Sequence, residues 1–165
     1  LSIIRRASDE KNYGKLIKVP LGQTIHQNQA GSGKGREVSA MKYHILVIDD
    51  NEKTLDVLRL ALERAGFRVT TAQSWEMVDE KVKTSYRVKD PFDLVVLDLM
   101  IPRRSGFDIL RSLQVVLVPM PPVIVLSAIT DVKKKVEARD LGVAKYLTKP
   151  TTPDILIKSI KDVLK

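Results

Sequence analysis

Short apolar runs alternate with longer amphipathic segments from residue 42 to residue 165. The runs are apolar throughout rather than at every second position, which is typical of strands buried on both faces in a parallel sheet. The amphipathic segments carry helix signals, with Ser74 and Asp131 as caps before two of them and Gly66 and Gly142 after two. The pattern predicts a doubly wound α/β fold with a five-stranded parallel sheet, strand order 2-1-3-4-5, and five helices.

The predicted elements follow one another in strict alternation. The predicted strands are Tyr43–Ile48, Phe67–Thr71, Phe92–Leu97, Val123–Leu126 and Ala144–Leu147. The predicted helices are Thr54–Ala65, Ser74 to about Ser85, Ser105–Leu117, Asp131–Leu141 and Thr152–Leu164, the last with Pro153 in its first turn. In such a sheet a ligand site is expected beyond the carboxyl ends of the strands.

Polar and charged side chains follow four of the five predicted strands. Asp49 and Asp50 follow the first strand, and Asp98 follows the third. Ser127 follows the fourth strand, and Lys149 follows the fifth. Because the carboxyl ends of parallel strands meet at one edge, we expect these five side chains to lie in one crevice.

The adjacent carboxylates of Asp49 and Asp50 repel each other, so something must offset their charge. Solvation in a loop, a lysine or a divalent metal can do this. With Asp98, the crevice is a hard, oxygen-rich site that suits Mg²⁺ or Mn²⁺. A carboxylate beside such an ion either remains a ligand or attacks phosphorus and becomes an acyl phosphate. Lys149 and Ser127 are the residue types that stabilise phosphoryl oxygens in such an attack.

Four short segments together resemble the receiver domain of two-component response regulators, a CheY-like, flavodoxin-like superfamily. They are V-I-D-D-N after the first strand, D-L-M-I-P-R-R-S-G from Asp98, V-L-S-A around Ser127 and Y-L-T-K-P ending at Pro150. Each segment is a weak signal alone, whereas their order, spacing and common position at strand ends are specific. The resemblance covers residues 42–165.

The resemblance implies a phosphoacceptor signalling module of a phosphorelay. Asp98 would accept a phosphoryl group from a sensor histidine kinase or a histidine phosphotransfer protein. Asp49, Asp50, Asp98 and the backbone carbonyl of Met100 would hold Mg²⁺ (or Mn²⁺), and Lys149 would pair with the phosphoryl oxygens. The module would catalyse only its own phosphorylation and dephosphorylation.

The resemblance also implies a conformational switch. Ser127 would hydrogen-bond the phosphate, and Tyr146 would be the aromatic residue that turns inward with it. Pro150 matches the family's cis peptide, and Pro102 and Gly106 match the turn into the third helix. The face formed by helix 4, strand 5 and helix 5 would bind a downstream protein, and a phosphorylation-dependent dimer is compatible with this arrangement.

Two regions depart from the family pattern. Residues 1–40 match nothing in it and are interpreted as an extension, linker or tag of unknown role, with linker composition at Gly31–Gly35. Residues 41–165 are then the receiver domain. The connection Ser85–Phe92 is longer than is usual before the third strand. With no output segment after Lys165, we expect either a stand-alone receiver or part of a longer regulator.

Composition narrows the partners and the compartment. The chain has 165 residues and no cysteine, which excludes disulfides and thiolate metal sites. No apolar run approaches the ~20 residues of a membrane helix, so we expect a cytoplasmic protein with no membrane contact. The net charge of +8 is divided equally between residues 1–40 and 41–165, and no aromatic residues interleave with the basic ones. Binding of nucleic acid by this chain is therefore not expected.

Three alternative functions fit the same fold less well. A haloacid-dehalogenase-like phosphatase or phosphotransferase needs an acid two residues after the nucleophile, where this chain has Met100. A flavodoxin-like cofactor domain needs a phosphate-cradling loop where this chain has Asp49 and Asp50. A degenerate receiver that serves as a protein-binding scaffold would lack residues that are all present here. His26 and His44 have no partner at metal-ligand spacing.

Overall fold

Residues 43–165 are described by the structure, a computed structural model. The predicted extension of residues 1–40, with its linker Gly31–Gly35 and His26, lies outside the described residues. The strands are β1 (His44–Ile48), β2 (Arg68–Ala72), β3 (Leu94–Leu97), β4 (Val123–Ser127) and β5 (Lys145–Thr148). The helices are α1 (Glu52–Arg64), α2 (Trp75–Arg87), α3 (Gly106–Val116), α4 (Val132–Asp140) and α5 (Pro153–Val163).

Each helix begins at a polar residue whose side chain accepts a hydrogen bond from the first turn. These caps satisfy backbone N–H groups that have no partner within the helix. The cap residues are Asn51, Ser74, Ser105, Asp131 and Thr152. At the other end of α1 and α4, Gly66 and Gly142 adopt positive φ, as helix-terminating glycines commonly do.

All strand pairs are parallel, and the sheet order is β2-β1-β3-β4-β5. The prediction of a doubly wound sheet with order 2-1-3-4-5 is therefore confirmed. Element boundaries differ from the sequence prediction by a few residues. One instance is α2, which continues to Arg87 because the chain turns only at Lys89, a residue with φ of +56°.

The sheet is covered on both faces, which accounts for its continuous apolar strands. Side chains that alternate along β1 enter different cores: Ile45 and Val47 pack with α1 and α5, whereas Leu46 and Ile48 pack with α2 and α3. Burial is less complete at the edge of the sheet near β5. There α4 contributes one buried residue, Ala138, so little apolar surface holds this helix to the domain.

No helix within residues 43–165 is both long and apolar enough to cross a membrane.

A polar cluster surrounds His44 at the amino end of the sheet. The imidazole Nε2 lies 2.9 Å from the Thr70 hydroxyl, and Nδ1 lies 3.4 Å from a carboxylate oxygen of Asp90 without forming a hydrogen bond. Arg68 binds the same carboxylate through two hydrogen bonds of 2.6 Å. The ring also packs on Phe92, with centroids 4.5 Å apart. Burial lowers the pKa of His44 below its usual value, and the guanidinium of Arg68 lowers it further, despite the opposing charge of Asp90.

The lowered pKa of His44 predicts an acid-sensitive fold. Between about pH 6.5 and the folded-state pKa, the unfolded chain binds a proton at this histidine that the folded chain does not. The free energy of unfolding should therefore fall as the pH falls through this window, by at most about 1.4 kcal/mol per pH unit for this one site. Denaturant unfolding from pH 7.5 to 5 measures this slope.

His44→Gln should flatten that pH dependence, whereas His26→Gln should leave it as in the parent. These are the two histidines of the chain, so each variant removes one imidazole. An unchanged slope in His44→Gln would assign the acid sensitivity to the carboxylates instead.

Candidate functional site

The crevice lies between the carboxyl ends of β1 and β3, which are neighbours in the sheet. Asp49 follows β1 and Asp98 follows β3, and the N–H of Asp98 donates to the carbonyl of Ile48 at 2.9 Å. This backbone contact continues the strand pairing by one residue, so both aspartates emerge at the same level. Both are buried, at 2% and 6% exposure, whereas Asp50 is exposed. The predicted meeting of these residues is present in the structure.

Lys149 reaches this crevice from the end of β5. Its Nζ lies 2.6 Å from an oxygen of Asp49 and 2.6 Å from an oxygen of Asp98. A single ammonium thus compensates both buried carboxylates, because a charge-assisted hydrogen bond is among the stronger polar contacts in a protein interior. The following peptide bond, Lys149–Pro150, is cis.

The electrostatics of Lys149 follow from these contacts. Burial alone would lower the pKa of the ammonium, but hydrogen bonds and charge interaction with Asp49 and Asp98 outweigh burial and raise the pKa. The lysine is therefore held firmly in its charged form. It is a fixed cation beside the most buried carboxylates of the crevice.

The three aspartates can also hold a metal ion. One carboxylate oxygen from each of Asp49, Asp50 and Asp98 lies within 4.8 Å of the others. With Lys149, three carboxylates and one ammonium carry a formal net charge of −2, which a divalent cation balances. An all-oxygen donor set of this kind suits Mg²⁺, which usually takes one or two carboxylates and keeps several waters.

Backbone N–H groups orient the two buried carboxylates. The N–H of Asn51 donates to Asp49 at 2.9 Å, and the N–H of Met100 donates to Asp98 at 2.9 Å. Each carboxylate is thus bound by the amide two residues later on one oxygen and by Lys149 on the other. The side chain of Met100 itself is exposed.

The turn after Asp98 is packed closely against the start of α3. A Cβ at Gly106 would overlap the backbone of Leu99, so only glycine fits there without displacement. The N–H of Gly106 donates to the carbonyl of Leu99 at 3.2 Å, which closes the turn that contains Pro102. This explains in physical terms why the sequence has glycine at position 106.

Ser127 and Tyr146 lie at the β4 and β5 side of the crevice. Ser127 is fully buried, and its hydroxyl accepts a bond of 3.4 Å from the N–H of Ile129. The Tyr146 hydroxyl donates to the carbonyl of Ile129 at 2.9 Å. Burial raises the pKa of Tyr146, and the charge of Asp98 adds to this effect against hydrogen bonding with Ser127. The hydrogen bond to Ile129 connects Tyr146 to the loop that follows Ser127.

The sequence interpretation missed one contact beside this site. The guanidinium of Arg104, in the turn after Asp98, lies 4.5 Å from the ring centre of Trp75 and donates to Ser112. No local spacing links residues 75 and 104, so the sequence offers no signal for this pair. It makes the single tryptophan of the chain a reporter on that turn.

Comparisons with known proteins identify the family of this chain. The family model described as the response regulator receiver domain matches residues 45–161. The alkaline phosphatase synthesis transcriptional regulatory protein PhoP of Bacillus subtilis is 34% identical over 125 residues, 76% of this chain and 50% of that protein. The transcriptional regulatory protein KdpE of Mycobacterium tuberculosis is 38% identical over 117 residues, 71% of this chain and 49% of that protein. The chain thus spans about half the length of these curated relatives.

Solved structures give the same result. The beryllofluoride-activated DrrB receiver domain, from a Thermotoga maritima regulator, is 30% identical with a TM-score of 0.60, covering 74% of this chain and 97% of that one. A response regulator receiver domain protein from Clostridium thermocellum is 31% identical with a TM-score of 0.64, covering 74% and 94%. With the family match over most of the chain, these comparisons show that the chain belongs to the response regulator receiver domain family of two-component signalling.

Proposed function

We propose that Asp98 is the phosphoacceptor of this receiver domain. The observation that carries this proposal is the position of its carboxylate, buried at the end of β3 with Lys149 Nζ 2.6 Å from one oxygen. Among the three aspartates, Asp98 is the one on the central strand of the sheet, between Asp49 and the β4 side where Ser127 lies. We further infer that residues 41–165 form the receiver domain and that residues 1–40 precede it.

The transfer step needs a phosphohistidine donor on a sensor histidine kinase or a histidine phosphotransfer protein. A carboxylate oxygen of Asp98 attacks phosphorus, the P–N bond breaks, and the imidazole nitrogen leaves with the bonding electrons. Lys149 lies close enough to exchange its contact with Asp98 for one with a phosphoryl oxygen. Hydrolysis of the resulting acyl phosphate returns Asp98, and this self-directed chemistry is the only catalysis that we assign to the chain.

We assign the metal site to Asp49, Asp50, Asp98 and the backbone carbonyl of Met100. Mg²⁺ (or Mn²⁺) bound there would supply positive charge to the phosphoryl oxygens. The exposed Asp50 contributes most to recruitment of the ion, because Lys149 already compensates Asp49 and Asp98. Pro102, Gly106 and Pro150 have structural roles in the loops around the site.

A phosphatase of the haloacid-dehalogenase type is the enzyme alternative. It requires a proton donor at position 100, and the exposed thioether of Met100 cannot serve as one. The signalling role is therefore favoured over the phosphatase. As a separate inference, we place this role in the cytoplasm.

We propose that Ser127 and Tyr146 transmit the phosphorylation of Asp98 to α4 as a conformational change. A phosphoryl group on Asp98 adds negative charge and acceptor oxygens, to which the Ser127 hydroxyl can donate. The loop from Ser127 would then move, and Tyr146 is tied to that loop through the carbonyl of Ile129. Lys135 of α4 has its Nζ 5.5 Å from the centre of the Tyr146 ring, so the change reaches α4.

α4 is suited to move because its attachments are few and mostly polar. It buries Ala138, while its Glu137 binds Arg111 of α3 at 3.0 Å in an exposed pair. Exposed ion pairs of this kind contribute little to stability. The face of α4, β5 and α5 is therefore the surface that we propose for a downstream protein or a phosphorylation-dependent dimer.

Incubation with Mg²⁺ and acetyl phosphate should add one phosphoryl group to the chain, measured by intact-protein mass spectrometry. Asp98→Asn should abolish this mass gain because the acceptor oxygen nucleophile is lost. Asp108→Asn, which removes an exposed carboxylate of α3, should retain it. A mass gain that persists in Asp98→Asn would place the acceptor elsewhere.

Asp50→Ala should weaken Mg²⁺ binding by about tenfold or more, the effect of losing about 1.4 kcal/mol of binding free energy. Without Mg²⁺ the same variant should unfold at an equal or higher temperature, because one repelling charge is gone. A Mg²⁺ titration monitored by Trp75 fluorescence measures the change in metal affinity. Thermal unfolding without Mg²⁺ measures the change in stability. Asp140→Ala, at the exposed end of α4, is the control. Unaltered Mg²⁺ affinity in Asp50→Ala would refute the metal assignment.

Beryllofluoride, which mimics the phosphoryl group, should shift amide NMR signals from Ser127 through α4 and at Tyr146. Asp98→Asn should show none of these shifts, since the mimic has no acceptor to bind. Tyr146→Phe keeps the ring but removes the bond to Ile129, so it should reduce the shifts in α4 while keeping those at Asp98. Shifts confined to the crevice in the parent would disprove the switch and leave phosphotransfer intact.

A further inference from the structure

A groove of about 570 Å³ opens at the amino ends of β3 and β4, at the end of the sheet opposite Asp98. The end of α2 and the α2–β3 loop form one side, and the end of α3 and the α3–β4 loop form the other. Its main lining residues are Tyr86, Lys89, Phe92, Val118, Pro119 and Pro121. This volume is within the range of ligand-binding clefts in proteins.

The walls of this groove are apolar and accessible. Tyr86 is 45% exposed and Val118 is 71% exposed, whereas Phe92 is buried at the base. Exposed apolar surface that lines a cleft in this way is typical of an interaction site.

Tyr86 joins the two walls and leaves a donor for a ligand. Its hydroxyl oxygen accepts a hydrogen bond of 2.9 Å from the N–H of Val118. That bond holds the end of α2 to the α3–β4 loop. It therefore fixes the two sides of the groove relative to each other. The hydroxyl proton of Tyr86 is not used in this bond and can be donated to an acceptor in the groove.

Lys89 places a positive charge at the edge of the groove. Its φ of +56° is a left-handed conformation, which glycine adopts freely and other L-residues adopt at a cost. The turn itself would therefore favour glycine, yet a lysine is present and its side chain lines the groove. Among the ion pairs of residues 43–165, none includes Lys89.

Of the neighbouring carboxylates, Asp90 is paired with Arg68, whereas Asp93 lines the groove and is hydrogen-bonded to a neutral N–H group. Asp90 forms two hydrogen bonds with Arg68, and Asp93 accepts a hydrogen bond of 2.7 Å from the N–H of His44. The groove therefore offers an ammonium and a hydroxyl donor beside an apolar surface. This combination is complementary to a carboxylate next to apolar side chains. The chain's net charge of +8 disfavours a second copy as the occupant and favours an acidic one.

We propose that this groove binds a peptide segment of a partner protein in which apolar side chains adjoin an aspartate or glutamate. The apolar side chains pack between Tyr86 and Val118, and the carboxylate pairs with Lys89. Five residue steps of extended chain, about 17 Å, lead from Asp93 at the groove to Asp98. A partner can therefore stay bound here while a phosphodonor occupies the opposite end of the sheet.

Selection of peptides from a phage-displayed library on the full chain tests this proposal. The selected peptides should combine apolar residues with Asp or Glu, and a synthetic copy should shift the amide NMR signals of Lys89, Val118 and Met120. Lys89→Gly should weaken binding of the synthetic peptide about fivefold. The same variant should be equally or more stable than the parent, since glycine suits the positive φ. Val118→Asp should abolish binding, and Lys53→Ala on α1 should have no effect.

Three outcomes would overturn the proposal. The first is failure to select any peptide that shifts groove signals, and the second is full affinity retained by both Lys89→Gly and Val118→Asp. The third is a concentration-dependent dimer, seen by sedimentation and lost in Val118→Asp, which would make a second copy the occupant.

Discussion

The contact of Lys149 with Asp49 and Asp98 is the interaction on which this site depends. The two carboxylates are only 2% and 6% exposed, and removal of their common partner would leave buried charges unpaired. The same lysine also leaves the site with a formal charge that a divalent cation can balance. One residue therefore stabilises the crevice and, in the function proposed above, would also pair with the incoming phosphoryl group.

This arrangement depends on the strand order, because the chain adds β2 on one side of β1 and then returns to add β3 on the other side. With β2 on one side of β1 and β3 on the other, residues 49 and 98 become neighbours although 48 residues separate them. Continuous apolar strands and helix caps signal this architecture directly, because both depend on residues close together in the chain. The fold and the meeting of Asp49, Asp50 and Asp98 could therefore be predicted from the sequence alone.

Features formed by distant residues could not be predicted in the same way. The sequence left solvation in a loop, a lysine or a divalent metal to offset the aspartates, but it did not indicate that one ammonium would contact both Asp49 and Asp98. The buried contacts of His44 with Thr70 and Asp90 join three segments that share no local pattern. The end of α2 was placed too early because Lys89 makes a turn that usually has glycine or asparagine, so the usual helix-stop signal is missing.

The two ends of the sheet differ in how their charges are arranged. At the carboxyl end, buried carboxylates point into a shared crevice and attract cations, whereas at the amino end Asp90 and Asp93 bind groups of their own domain and leave Lys89 exposed. A ligand for one end therefore differs from a ligand for the other, since three carboxylates surround the crevice, whereas Lys89 and Asp93 both line the groove beside apolar side chains. Parallel strands make such a division easy, because loops at the two ends can vary without disturbing the buried strands between them. In this chain the α2–β3 connection, which the sequence predicts to be longer than is usual in the family, contributes its residues to the amino end of the sheet, away from the crevice at Asp98.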